Sequence, residues 1–241
     1  MGITTVFWGS VAIDPPLNGV EVAYLGRFAG TRRTSSTLGP YFVDRPGFMG
    51  QDHTPDIIDP NRPVDGQPSL FCQWVPTAGG DALRWDEGEK FYESSAWLQY
   101  LIDHFLRPGA HAALAGDPQF GGFTFDHRVD GHVFALAQPE AAMFDAYRID
   151  VADNVVTVFD YAIPELELDD EWWDVVLDDV DVSWHIEQAA EGRLDGVQAL
   201  AADLALLEEL DQHDTVNGLR AFLADLGITT PDDPSAPRST P

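Results

Sequence analysis

Cysteine, lysine and long apolar stretches are almost absent from this chain of 241 residues. A single cysteine, Cys72, excludes an internal disulfide and a zinc site built from several cysteines. No run of about 18 apolar residues occurs, which argues against a membrane-spanning helix. The first residues have neither the basic nor the apolar region of a secretory signal. We therefore expect a cytoplasmic protein that does not enter a membrane.

Basic residues are scarce throughout. The chain has 13 Lys and Arg against 41 Asp and Glu, a net charge of −28, and its only lysine is Lys90. This charge favours solubility, and it argues against direct binding to nucleic acid, whose phosphates need basic side chains. Three explanations stay open. They are the composition of a high-GC genome, adaptation to high salt, and a surface that imitates DNA or binds a basic protein partner.

Known catalytic motifs are also missing. The sequence has no nucleophile elbow, phosphate-binding loop, HExxH pair or glycine-rich dinucleotide fingerprint. Cys72 alternates with Leu70 and Trp74, which predicts a small buried core residue. No local base or positive charge supports it as a nucleophile. The sequence therefore assigns no catalytic residue, metal ligand or cofactor, and an enzymatic role is not favoured.

Two local clusters carry polar chemistry. The loop Asp86-Glu87-Gly88-Glu89 has three carboxylates that could bind a hard cation, but a solvated turn before a helix explains them more simply. His127 and His132 stand five residues apart in a region predicted to be β. That spacing places them on opposite faces of a strand, which argues against shared metal ligation and favours a polar strand edge.

Hydrophobic residues make up 44% of the chain and aromatic residues 11%, enough for the core of one large domain or of one domain with an appendage. Residue patterns predict strands and helices whose boundaries can be read from apolar periodicity and from turn residues. The predicted strands are 3–13, 69–75, 82–85, 123–137, 144–151 and 155–161. The predicted helices of this region are 16–28 and 90–107.

The order strand, helix, strand, strand, helix, strand matches the ferredoxin-like arrangement. We therefore predict an α+β fold, with an antiparallel sheet and two helices on one face, over residues 1–161. Within it, 30–68 is rich in glycine, proline and polar residues and predicts a long loop excursion. Residues 162–228 predict an acidic segment followed by a C-terminal helical hairpin, and 229–241 predict a disordered tail.

The acidic segment is the most suggestive feature. From 149 to 192 there is no Lys or Arg, while 14 residues are acidic. Two adjacent tryptophans within it resemble an interaction hot spot, in which the aromatic rings bind and the acids steer the partner. The alternative is that the tryptophans anchor this segment to the sheet. The predicted partner-binding residues are Asp169, Asp170, Glu171, Trp172, Trp173, Asp174, Asp178, Asp179 and Asp181.

Three stretches carry a resemblance. They are GITTVFWGSVAIDPPL near the start, PSLFCQWVPTAGGDALRWDEGEKFYESSAWLQYLIDHFLRPGA over 68–110, and DGHVFALAQ with YRIDVADNVVTVF within 130–159. In this order they resemble a group of uncharacterised proteins from actinobacterial genomes and their phages, over residues 1–16 and 68–161. Where that group has a Gly-Glu-hydrophobic-Glu pattern, this chain has Gly-His-Val-Phe at 131–134, so no carboxylate role is carried over. The resemblance supports the high-GC explanation of the charge, and it does not indicate any activity, because the group has no established function.

The leading hypothesis is a non-enzymatic interaction protein whose acidic surface binds a basic or nucleic-acid-binding partner, such as a phage-type inhibitor of a host or defence protein. A second hypothesis is a small enzyme or ligand-binding protein with a pocket between the sheet and the 30–68 loop. Trp74, Trp85 and Tyr92 could line that pocket, with His127 or His132 for acid–base work. A third is a virion or assembly component, which would form a symmetric oligomer.

Overall fold

The computed structural model describes residues 5–43, 55–137, 144–166 and 182–230. Eight strands lie within these ranges: β1 (Thr5–Asp14), β2 (Thr34–Ser36), β3 (Ile57–Pro63), β4 (Trp74–Pro76), β5 (Ala82–Trp85), β6 (Arg128–Ala137), β7 (Asp145–Ala152) and β8 (Val155–Asp160). The α-helices are α1 (Gly19–Ala29), α2 (Ser94–Leu101), α3 (His111–Ala115), α4 (Val182–Ala190), α5 (Leu194–Glu209) and α6 (His213–Leu226).

The main sheet has six strands in the order β4-β5-β1-β6-β7-β8. Its first four strands have the ferredoxin-like order, and β7 and β8 extend the sheet beyond β6. The β1–β5 and β4–β5 pairs are antiparallel, with Val11 opposite Leu83 and Trp74 opposite Trp85. The predicted α+β fold with an antiparallel sheet is confirmed.

Helices α1 and α2 both contact β4, so they lie on one face of the sheet. They pack on each other through Phe28, whose ring centre is 6.1 Å from that of Trp97. The start of α1 is set by a capping box. The Asn18 side chain accepts from the Glu21 N–H at 3.2 Å, and the Glu21 carboxylate accepts from the Asn18 N–H at 2.8 Å. Helix α1 therefore begins at Gly19, three residues later than predicted.

The helix predicted over 90–107 is shorter and less regular. Lys90 and Glu93 have φ angles of +60° and +57°, which no helix accommodates, so α2 begins only at Ser94. Its last turn widens into a π-helical turn over Ile102–Leu106, and Arg107 before the proline is extended.

Two β predictions need correction. The strand predicted over 69–75 is reduced to Trp74–Pro76, because 69–73 run as irregular backbone. The 30–68 excursion contains regular structure, since β2 and β3 pair as a small antiparallel sheet. Arg33, only 2% exposed, holds this excursion in place. Its guanidinium donates to the carbonyls of Phe42 and Pro40 at 2.7 and 2.5 Å and lies over the Phe28 ring.

The C-terminal part follows its predicted pattern. Leu200, Leu204 and Leu207 of α5 are buried, and α6 packs against this helix as the predicted hairpin. Gly227 ends α6 with a φ of +83°, and the next N–H, of Ile228, donates to the Leu223 carbonyl. Helix α4, which contacts α5, adds a third helix to the hairpin. In the described part of the chain, no helix has the length and apolar character needed to cross a membrane.

The residues separate into two compact units. One comprises Phe7–Val133 and Ile149–Phe159, and the other comprises Met1–Val6, Phe134–Arg148 and Asp160–Pro241. The core of the first unit is aromatic and centres on the contacts that Phe28 makes with its neighbours in α1 and α2. The sites described next all lie within this first unit.

Candidate functional site

The nine residues predicted to bind a partner, Asp169 to Asp181, lie outside the described residues. The same holds for 231–241, which is most of the predicted tail. The acidic-surface hypothesis therefore remains a prediction. The structure gives geometry for two histidine clusters and one cleft that bear on the other predictions.

The first histidine cluster joins His127 to Glu21, whose side chains are both 1% exposed. The Nε2 atom of His127 lies 3.2 Å from a carboxylate oxygen of Glu21, and its Nδ1 atom lies 2.7 Å from the Pro15 carbonyl oxygen. The backbone N–H of Thr124 donates to the same carboxylate oxygen at 2.7 Å. These bonds tie the start of α1 to the loop before β6. Because both ionisable groups are buried and partnered within the protein, their role is structural.

His132, by contrast, lies on the exposed side of β6. The two histidines that the sequence suggests for acid–base work therefore have different surroundings, since His127 is buried and His132 is exposed. No group of three or more His, Cys, Asp or Glu side chains is placed to hold a metal ion within the described ranges.

The second cluster surrounds His104 in the π-helical turn. Its Nδ1 shares a hydrogen bond of 2.8 Å with the Tyr41 hydroxyl, and its ring stacks on that of Tyr100 with centres 3.8 Å apart. Burial lowers the pKa of His104 to about 4, and the neighbouring His111 acts in the same direction. The imidazole is therefore neutral at pH 7. Its partners fix it within a stack of rings, which suits packing better than proton transfer.

The third site is a cleft. Its volume is about 740 Å³, within the range of about 300–1,000 Å³ that is typical of small-molecule sites. Much of its wall is apolar and comes from the end of α1, from the end of β3 and from the irregular stretch before β4. The main apolar lining residues are Ala29, Pro63, Pro68, Leu70, Phe71 and Tyr92.

The floor of the cleft includes Cys72, which is 1% exposed as the alternation with Leu70 and Trp74 predicts. Burial raises the pKa of the Cys72 thiol to about 12. The thiol therefore stays protonated at neutral pH and behaves as part of the apolar wall.

Polar groups concentrate on one rim, in the loop between β5 and α2. Asp86, Glu89 and Lys90 all line the cleft there. Partial burial raises the pKa of Asp86, and the N–H of Gly88, which donates to it at 2.9 Å, acts in the opposite direction.

This rim loop has an unusual backbone. Glu87, Lys90 and Glu93 all have φ between +57° and +67°, a left-handed region that costs non-glycine residues about 1 kcal/mol or more each. The Gln73 side chain holds the loop in this shape. Its amide N–H donates to the Glu89 carbonyl at 2.8 Å, and its amide oxygen accepts from the Trp85 indole at 3.0 Å.

The sequence predicted only part of this site. Tyr92 lines the cleft as expected, but Trp74 is 1% exposed in the core, and Trp85 is not among the lining residues. The prolines at 63 and 68 and the 69–73 stretch were not identified, because a run that resembles a strand does not reveal that its backbone is irregular. For the acids at 86–89 the sequence favours a solvated turn, whereas the structure places Asp86 and Glu89 at the cleft.

Comparisons with protein-family models, with curated proteins and with solved structures give no match to this chain. The cleft must therefore be interpreted from its own geometry.

Proposed function

We propose that this protein binds a small, largely apolar molecule in the cleft between the end of α1, the stretch at 68–73 and the rim loop at 86–93. The observation that carries this proposal is a concavity of about 740 Å³ with a mostly apolar wall. Apolar surface of this kind gains free energy when it leaves water, at about 25 cal/mol per Å². A few polar groups at one rim would orient the bound molecule.

Binding without catalysis is the form of the proposal that the side chains support. No histidine is among the described residues that line the cleft beside the Cys72 thiol, and the pKa of that thiol is raised rather than lowered. A nucleophilic cysteine needs the opposite shift and a nearby base. The buried His127 contacts Glu21 and does not line the cleft.

Filling the cleft is expected to remove binding. Ala29→Phe places a ring where the methyl group of Ala29 lines the wall, and Leu70→Trp enlarges a second wall residue. Titration with the neutral dye N-phenyl-1-naphthylamine, whose fluorescence rises in apolar surroundings, should show saturable binding to the wild type. We expect each filled variant to bind the dye at least about tenfold more weakly, which corresponds to about 1.4 kcal/mol.

The matched control is Ala113→Phe, the same substitution at an exposed alanine of α3. It should bind the dye as the wild type does, and thermal unfolding should show that all three variants are folded. The proposal is wrong if the wild type does not bind the dye, or if folded Ala29→Phe and Leu70→Trp variants bind it unchanged.

A second candidate function is the acidic interaction surface. We propose it because 14 acids and no base lie between 149 and 192, a local excess beyond that of the rest of the chain. Such a field would attract a basic protein partner and speed its association. This function is compatible with the cleft, because the two use different parts of the chain.

Charge reversal tests it. Replacing Asp169, Asp170, Asp178 and Asp179 by lysine should weaken binding to a fluorescent arginine-rich peptide at about 0.1 M salt by about tenfold. The control replaces four exposed acids outside 149–192 with the same net change, and these are Asp65, Asp145, Asp195 and Glu209. Equal loss in both variants would mean that only total charge matters, which would contradict a localised partner site.

A further inference from the structure

The rim of the cleft carries more acidic than basic residues. Among the residues that line the cleft, two are acidic, Asp86 and Glu89, and one is basic, Lys90. Asp86 has a short side chain, and its Oδ1 is fixed by the Gly88 N–H at 2.9 Å. The N–H of Asp86 itself also donates to this carboxylate, but no side chain of the described residues donates to it or to the Glu89 carboxylate. Both acids are therefore available to a ligand.

The bases near the cleft do not offset this. Lys90 is exposed and carries its ammonium on a flexible four-carbon stem, so it is free to extend into water. Arg84 lies 3.5 Å from Glu87, outside the lining, and its charge also acts on Asp86, where it opposes the burial that raises the pKa of that carboxyl. The Arg32 guanidinium lies 5.5 Å from the centre of the Phe71 ring, but Arg32 is not itself a lining residue.

The position of these acids is specified by the backbone. The rim loop keeps three non-glycine residues in the left-handed region. Contacts from Gln73 and from the Trp85 indole, which also lies 3.2 Å from the Gly88 carbonyl oxygen, hold it there. Strain of this kind persists only where the surroundings over-determine it. The backbone at Asp86 and Glu89 thus stands at a defined place beside an apolar wall.

Taken with the proposed function, on which this inference rests, the geometry points to an organic cation as the ligand: a molecule with an apolar body in the cleft and an ammonium-type group at Asp86 and Glu89. An anionic head would meet two carboxylates at close range and the field of a chain with a net charge of −28. A cation would restore the interactions that the partly buried Asp86 carboxylate loses by leaving water. Charge complementarity therefore selects the cation.

Three probes with the same ten-carbon chain separate the contribution of the charged head group to binding from that of the apolar chain. Decyltrimethylammonium, decanol and decanoate are titrated, below their aggregation limits, as competitors of N-phenyl-1-naphthylamine bound to the full-length protein. We expect the ammonium to bind about tenfold more tightly than the alcohol and the carboxylate more weakly than both. In Asp86→Asn/Glu89→Gln, the ammonium should lose about tenfold while decanol is unchanged.

The control variant is Asp145→Asn/Glu187→Gln, which removes the same charge at two exposed positions that do not line the cleft. It should keep the wild-type ranking. Decanoate binding as tightly as the ammonium, or a ranking that survives in Asp86→Asn/Glu89→Gln, overturns the cationic ligand while leaving the cleft function standing. If neither the dye nor decanol binds the wild type, both the cleft function and this inference are wrong.

Discussion

Cys72 should react with thiol reagents about three orders of magnitude more slowly than an exposed cysteine at pH 8. Burial raises the pKa of its thiol to about 12, against about 8.5 for a free cysteine. The reactive thiolate is then about one part in ten thousand, compared with about a quarter for the free thiol. Alkylation by iodoacetamide, followed by mass spectrometry over time, measures the ratio directly.

Two references make this measurement interpretable. The same chain unfolded in urea should react at the rate of a free thiol. A Cys72→Ala/Ala113→Cys variant presents a thiol at an exposed position of α3 in the folded protein. Native Cys72 reacting within about tenfold of that exposed thiol would show that the cleft floor is wetter than the structure indicates, and it would weaken the proposal of an apolar ligand.

Glu21→Ala should lower the free energy of unfolding by about 3–5 kcal/mol, because each buried donor that loses its acceptor costs about 1–3 kcal/mol. The Glu21 carboxylate accepts hydrogen bonds from the backbone N–H groups of Asn18 and Thr124 and contacts His127 Nε2. Its loss leaves these donors unsatisfied and removes half of the capping box of α1. Urea unfolding followed by circular dichroism measures the change.

Two further variants distinguish the loss of this hydrogen-bond network from the general effect of removing a glutamate. Glu209→Ala, at an exposed position of α5, should change stability by less than about 0.5 kcal/mol. Glu21→Ala/His127→Ala should cost less than the sum of the two single changes, because the second removal no longer strands a partner. A Glu21→Ala variant within about 1 kcal/mol of the wild type would contradict the assigned role.

The two predictions address different layers of the same unit. Glu21 holds the start of α1 to the loop before β6, and Ala29, at the other end of that helix, lines the cleft. A destabilised α1 would therefore weaken ligand binding without touching the cleft itself. Dye binding should be compared in Glu21→Ala and Ala29→Phe at equal folded fraction. This comparison distinguishes an effect on the position of α1 from direct obstruction of the cleft by the new ring.

Local patterns were sufficient for most of the regular structure. The β-branched and aromatic run near the start predicts β1, and the leucine spacing predicts the buried face of α5. The Asp153-Asn154 pair predicts the turn of the β7–β8 hairpin, where both residues have positive φ. These features depend on interactions between residues a few positions apart, so their signal lies within one short window. The resemblance to actinobacterial and phage proteins and the acidic-partner hypothesis stay predictions.

Tertiary contacts decided the rest. The irregular path of 69–73, the left-handed residues of the rim loop and the late start of α2 depend on bonds such as that from Gln73 to Glu89, which are 16 positions apart. No short window contains both partners, so periodicity predicted a strand and a longer helix there. The cleft forms where the backbone differs in this way from the predicted strand and helix. The sequence by itself determined that this is an acidic α+β protein with few basic residues. The apolar cleft comes from the packing of distant segments, and so does the position of Asp86 and Glu89 at its rim.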